Sequence, residues 1–225
     1  MKLTYYGHST LQLETGNHTL LIDPFISDNP HTDASPDDFS PDYIVLTHAH
    51  GDHVGDTESI AKRSGATIIS SFEIGNYYGE KDLDAHPMNP GGPFEFPFGK
   101  LNFTPAWHSS SFPDGTYGGM PMGVVIQAEG KRIYHAGDTA LFSDMSLIGR
   151  GGLDVAFLPI GSNFTMGPDD AVEAVRLLEP KQVVPVHYNT FDPIKQDAEA
   201  FKSEVEAQTS AKCLVMQAGE VLALD

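Results

Sequence analysis

Three imidazoles and a carboxylate fall within six consecutive positions of this chain, in the run Thr47-His48-Ala49-His50-Gly51-Asp52-His53. Such groups cannot be packed cheaply as an ordinary core cluster, because each buried polar atom needs a partner. A divalent cation supplies such a partner. Imidazole nitrogen and carboxylate oxygen are the borderline donors that zinc prefers, and alternate positions on a strand end or tight loop let successive side chains converge. Further along, His108, Asp138 and His187 each follow a segment that reads as a strand: Leu101 to Ala106, Ile133-Tyr134, and Val183 to Val186. Such strand ends meet at one edge of a sheet sandwich, so these three residues join the first cluster as candidate ligands.

In this order the residues resemble a known family. His48-Ala49-His50-Gly51-Asp52-His53 is similar to the His-x-His-x-Asp-His signature of the metallo-β-lactamase superfamily. His108, Asp138 (within Ala136-Gly137-Asp138-Thr139) and His187 match its later metal motifs in sequence. The resemblance runs from Gly7-His8-Ser9 to the final strands and is strongest to a branch of bacterial metal-dependent hydrolases of undefined substrate. More distant relatives are ascorbate-6-phosphate lactonases and N-acylphosphatidylethanolamine phospholipase D. The resemblance implies an α+β fold, a four-layer αββα sandwich over residues 1–225 as one domain. It further implies two divalent metal ions in the cleft between the halves. His48, His50 and His108 would hold the first, Asp52, His53 and His187 the second, and Asp138 would bridge them. Where some lactamases carry cysteine this chain has Asp138, so a hard oxygen replaces a soft thiolate. Zinc is the first expectation, with manganese or iron also admitted.

Two neighbouring divalent ions lower the pKa of a shared water from about 15.7 towards 7. The expected activity is therefore hydrolysis of an ester, lactone, amide or phosphodiester by a metal-bridging hydroxide, with no serine or cysteine nucleophile. Asp52, His8 and Asp23 are the candidate catalytic residues. Asp23, closing the strand Leu20-Leu21-Ile22, would orient a ligand histidine or its loop, although an Asp before Pro24 also reads as a turn former. His8, read as part of the first strand, would contact substrate or donate a proton, or else serve as a structural histidine. Two other readings compete. Di-iron redox chemistry on this fold is opposed by His50, where such relatives typically have glutamate, and by the lack of room for a flavodoxin domain. Metal binding without catalysis is opposed by the ligand set, since structural sites close with four ligands.

The elements that must position these groups are legible in outline. Leu3 to Glu14, Thr19 to Asp23 and Tyr43 to Thr47 read as strands, with a turn at Gly16-Asn17. Thr57 to Ser64 has helical spacing and Ala66 to Ser70 reads as a buried strand. Asn76 to Pro97 reads as one long Gly/Pro-rich connection. Strands follow at Leu101 to Ala106, Val124 to Ala128, Arg132 to Ala136 and Val155 to Pro159. A helix runs from Pro168 to Leu178, a strand from Gln182 to Val186, and a last helix from Gln196 to Gln208, before strands near Cys213 to Met216 and Glu220 to Ala223. Ser109 to Gly119 and Asn76 to Pro97 would wall the site. Trp107, Phe112 and Tyr117 would offer it apolar faces, and Asn163, Thr165, Tyr188 and Asn189 hydrogen bonds. His18, His31 and His86 read as bystanders in turns or loops.

The net charge of −18, from 31 acidic against 13 basic residues, repels a phosphate backbone and argues against nucleic acid as a partner. A small-molecule substrate is expected instead, and a homo-oligomer is left open. The start of the chain lacks the basic flank and apolar stretch of a signal peptide, and no run approaches the length of a membrane span, so a cytoplasmic location is expected. The single Cys213 has no partner for an internal disulfide and reads as a packed strand residue.

Overall fold

Runs such as Tyr43-Ile44-Val45 and Val155-Ala156-Phe157-Leu158 are apolar without alternation, as suits strands covered on both faces. The computed structural model, which describes residues 1–224, sorts these side chains by parity. In β4 (Tyr43–Val45) and β5 (Thr67–Ser71), Val45 and Ile69 face the core between two sheets, while Ile44 and Ile68 face an outer layer. In β11 (Leu153–Pro159), Val155 and Phe157 point inward, and Ala156 and Leu158 point to the opposite outer layer.

The first sheet joins β4 and β5 to β1 (Lys2–Tyr5), β2 (Leu11–Thr15), β3 (His18–Ile22), β6 (Ala85–Met88) and β14 (Val221–Ala223), in the order β14-β1-β2-β3-β4-β5-β6. Its outer face is covered by α1 (Gly51–Val54), α2 (Thr57–Ser64) and α3 (Phe72–Gly79), through Val54, Ile60, Ala61, Ile74 and Tyr78. The second sheet joins β11 to β7 (Phe94–Phe96), β8 (Gly99–Pro105), β9 (Met122–Ala128), β10 (Lys131–His135), β12 (Pro180–Val186) and β13 (Lys212–Cys213), in the order β13-β12-β11-β10-β9-β8-β7. Its outer face packs on α4 (Met145–Ile148), α5 (Pro168–Leu178) and α6 (Ala198–Gln208). The four layers are those of an αββα sandwich, and among the described residues no helix is long and apolar enough to cross a membrane.

Strand direction places the chemistry. β3 to β6 are mutually parallel, as are β10 to β13. Two antiparallel steps return β1 to the direction of β3, and β8 to that of β10. The residues following β1, β3, β4, β8, β10 and β12 therefore emerge at one edge of the sandwich.

The structure departs from the sequence reading in several places. Leu3 to Glu14 is not one strand: β1 and β2 form a hairpin whose turn carries Gly7 (φ 92) and His8 (φ 53). Asn76 to Pro97 is not a connection but contains the end of α3, then β6 and β7. His18 and His86 lie on β3 and β6, and β13 ends at Cys213. Phe112 is buried and stacks on Tyr77 at 3.7 Å, so it supports a loop and offers no exposed apolar face.

Candidate metal centre

β4 ends at Val45, Thr47 follows two residues on, and His50 is extended (φ −65, ψ 149) before the chain turns into α1. That extension sends His48 and His50 to one side and Ala49 into the outer core. Ser110 fixes the segment by accepting the Ala49 N–H at 3.2 Å. His50 then caps the single turn of α1, on which Asp52 and His53 project back towards the strand ends. His108 arrives after β8, Asp138 after β10 and His187 after β12.

These side chains converge in three overlapping groups, each with donor atoms within 4.8 Å of one another: His48, His50 and His108; His8, Asp52, His53 and His187; and His48, His53 and Asp138. Asp138 lies between the first two. Its Oδ2 is 3.5 Å from His108 Nε2 and 3.0 Å from His187 Nε2, and its Oδ1 is 3.3 Å from His53 Nε2.

Proton positions follow from the buried hydrogen bonds. Asp23, a carboxylate that only accepts, takes the Thr47 N–H at 2.8 Å, the Thr47 hydroxyl at 2.7 Å and His53 Nδ1–H at 2.8 Å. With its proton committed to Asp23, Thr47 Oγ1 accepts from His48 Nδ1 at 3.0 Å. One carboxylate thus fixes two tautomers and turns the Nε2 lone pairs of His48 and His53 to the centre. His50 Nδ1 then lies 3.0 Å from His48 Nε2 and 3.3 Å from His108 Nε2. No tautomer of His50 satisfies both approaches. His53 Nε2, Asp138 Oδ1 and His187 Nε2 are likewise buried with no hydrogen-bond partner; the His187 to Asp138 approach is within ion-pair reach but not aligned as a hydrogen bond. A divalent cation among imidazole nitrogens and carboxylate oxygens satisfies such atoms, and the donor set fits one.

The electrostatics agree. Burial lowers the pKa of His48, His50 and His108, reinforced at His48 and His50 by His53. Burial also opposes charge on His53 and His187, but Asp138 overcomes it at both, aided by Asp23 at His53, and His187 rises to about 9. Burial would raise Asp138 and Asp52, yet contacts from His187, with His53 at the former and His8 at the latter, hold both far below the usual carboxylate range. Protonated His53 and His187 therefore balance the carboxylates where no cation does.

Of the three candidate catalytic residues, His8 and Asp23 are both closed off from solvent. His8 is fully buried, its Nδ1 2.8 Å from Thr190 Oγ1 and its Nε2 3.1 Å from Asp52 Oδ2, so it lies beneath Asp52 with no face to a substrate. Asp23 is fully buried behind His53 and Thr47. Such buried contacts suit the orienting of other side chains, the part expected of Asp23, and leave His8 no route to a substrate; of the three, Asp52 alone is partly open, at 27% side-chain exposure. His8 (φ 53), Asp23 (φ 45) and His187 (φ 54) share left-handed backbone, a cost typical of sites held by their surroundings.

One buried residue escaped the sequence reading. His135 Nε2–H donates to the Ser9 carbonyl at 3.0 Å, while its Nδ1 accepts the Gly137 N–H at 3.0 Å. It ties the turn carrying His8 to the loop presenting Asp138. A lone histidine in a strand carries no motif that would have singled it out.

A family model for the beta-lactamase superfamily domain matches residues 18–188, a span containing every candidate ligand. The chain belongs to the metallo-β-lactamase superfamily. It is 53% identical, over the whole of both chains, to a UPF0173 metal-dependent hydrolase of Thermus thermophilus. Igni18, a metallo hydrolase of the archaeon Ignicoccus hospitalis, superposes with a TM-score of 0.92 at 41% identity, covering 100% of this chain and 98% of the other. An isothiocyanate hydrolase from Delia radicum gut bacteria shares the fold alone, with a TM-score of 0.79 at 22% identity over 100% of this chain and 99% of its own.

Proposed function

We propose that this superfamily member is a dinuclear hydrolase of small molecules, with His48, His50 and His108 holding one divalent ion, Asp52, His53 and His187 holding a second, and Asp138 shared. The observation that carries this is the position of Asp138, whose two oxygens approach His108 on one side and His53 and His187 on the other. Zinc suits the five imidazoles best, with manganese or iron admitted by the two carboxylates. When bound, such ions supply an activated water and polarise the oxygen under attack. Water adds across an ester, lactone, amide or phosphodiester bond, releasing an acid and an alcohol or amine.

The chain's own groups prepare this chemistry. Asp23 holds a proton on His53 Nδ1 and, through Thr47, on His48 Nδ1, so both rings present Nε2 as a donor. His8 steadies the Asp52 carboxylate, and the Ser109 hydroxyl lies 3.3 Å from His50 Nε2 at the open side. His53 and His187 give up their protons when cations bind, so loading weakens as pH falls.

Elemental analysis after mild dialysis should find about two equivalents of transition metal per chain, mainly zinc. A panel of lactones, esters, amides and phosphodiesters should then show turnover that is lost on chelation and regained on adding metal. Protein that neither contains nor takes up zinc or manganese would overturn the reading.

A further inference from the structure

Six aromatic side chains among the described residues are exposed: Phe72, Phe94, Trp107, Tyr117, Phe164 and Phe191. Five of them stand on segments that follow strand ends at the metal edge, and only Phe94 lies elsewhere. Trp107, 69% exposed, precedes His108, and its backbone N–H donates to Thr139 Oγ1 beside Asp138. Tyr117 pairs with Ser111 across a tight loop; its neighbour Gly118 lies so close to Ala49 that an added Cβ would come within 2.3 Å of that methyl. Phe164, 56% exposed, rides on a loop whose Met166 N–H donates to the Thr139 carbonyl at 2.9 Å. That loop holds Ser162 (φ 62) and Asn163 (φ 53) in left-handed conformations. The Phe191 ring sits 5.6 Å from that of His8. Scattered apolar residues need no explanation, but several large exposed rings carried by the loops of one sheet edge, the edge that bears a polar centre, suit a binding surface.

The charges of the same rim add a second constraint. Of the thirteen lysines and arginines, only Lys195 lies on a loop at this edge, and it is 2.7 Å from Asp192 Oδ1. Lys100, Lys131, Arg132 and Arg150 instead gather around an open cavity formed by the β7–β8 and β9–β10 turns, away from the metal edge. An anionic group on a substrate would find no unpaired cation around the mouth, in a chain of net charge −18.

We propose that the centre takes an uncharged substrate whose scissile ester or amide carries an extended aliphatic or aromatic group, held against Trp107, Phe164 and Phe191. A phosphodiester, or a substrate with a free carboxylate, is the wrong class. This rests on the hydrolase reading above, and deepens it.

Trp107 is the only tryptophan, so its emission reports the rim directly. Zinc-loaded enzyme titrated with methyl n-alkyl ketones, which are neutral and not hydrolysed, should show a saturable blue shift. Affinity should rise about two- to fourfold per methylene. In turnover, p-nitrophenyl hexanoate should exceed p-nitrophenyl acetate, whereas mono-p-nitrophenyl adipate, differing from the hexanoate by a terminal carboxylate, should fall at least tenfold below it. Phe164→Ala and Phe191→Ala should reduce the hexanoate-to-acetate ratio of kcat/KM at least fivefold, through KM, with metal content retained. Ketone binding that follows chain length without turnover of any ester would uphold apolar recognition and defeat the hydrolase reading for esters. Turnover indifferent to chain length, equal rates on the adipate, or preference for bis-p-nitrophenyl phosphate would overturn the proposal and leave the hydrolase reading standing. A blue shift that follows protein concentration, with dimer on gel filtration, would assign the rim to self-association and also overturn it.

Discussion

At the residue scale, Asp138 and His187 differ in which neighbours depend on them. Asp138 approaches histidines of both ligand groups, whereas His187 approaches Asp138, Asp52 and the histidines of its own group, His8 and His53. A shared carboxylate also screens two cations that repel each other at short range. Asp138→Ala should therefore lose both metals on dialysis and abolish turnover near neutral pH. His187→Ala should retain about one equivalent, consistent with a centre built from two ligand groups. Metal analysis on folded variants distinguishes the two, and an Asp138→Ala protein that keeps both metals would reassign the shared ligand. Cys213 makes the opposite prediction. Burial, with Glu206 adding to it, pushes its thiol up to about 12, so at pH 8 it stays protonated and unreactive. A disulfide reagent should titrate no thiol in native protein and one after denaturation, and Cys213→Ser should leave metal content and turnover nearly unchanged.

At the element scale, the loops are as constrained as the strands they extend. Gly137 (φ 61) sits between β10 and Asp138, and a Cβ there would lie 2.7 Å from the Met122 carbonyl and 2.9 Å from Thr47 Cβ. Gly137→Ala should cost roughly 1–3 kcal/mol of stability. It should also lower metal affinity, because the clash falls between the loops of Asp138 and His48; thermal melts with and without zinc would measure both effects. Helices α2 and α5 were legible to the residue, since Thr57 to Ser64 and Pro168 to Leu178 carry amphipathic spacing, the latter with Pro168, Asp169 and Asp170 at its start. The metal motif was legible for a similar reason: its spacing is local. The turn at Gly7-His8 was hidden because Leu3 and Tyr5 stay in phase with Leu11 and Leu13, so a hairpin and a continuous strand give the same alternation. Helix α3 was hidden because two glycines and two tyrosines weaken its local signal. It forms on tertiary grounds, with Ser71 Oγ capping the Ile74 N–H and Ile74 and Tyr78 packed one turn apart beneath the sheet. The burial of His8 under Asp52, and the tie made by His135, depend on which strand lies beside which, and no local pattern records that.

At the scale of the whole molecule, the last strand does not stay with the sheet that precedes it. After β13 the chain crosses to the first sheet, where β14 pairs with β1 at Lys2 to Thr4, and Leu224 donates to the Met1 carbonyl at 3.1 Å. Glu220 and Gly219 extend the pairing to Tyr5, next to the turn that carries His8. Removing the segment from Gly219 onward should lower the melting temperature by roughly 10 °C, given the several backbone hydrogen bonds lost. The bared β1 edge should also bring measurable light scattering. Unchanged melting and a clear solution would mean that β14 is dispensable. The same crossing sets an order of events during synthesis. At roughly 5–20 residues per second on the ribosome, the first strand emerges some ten seconds or more before the strand that will cover it. Its edge must meanwhile stay clear of other nascent chains, and the short span of β1, opening with Lys2, limits what a neighbour could pair with until the tail arrives.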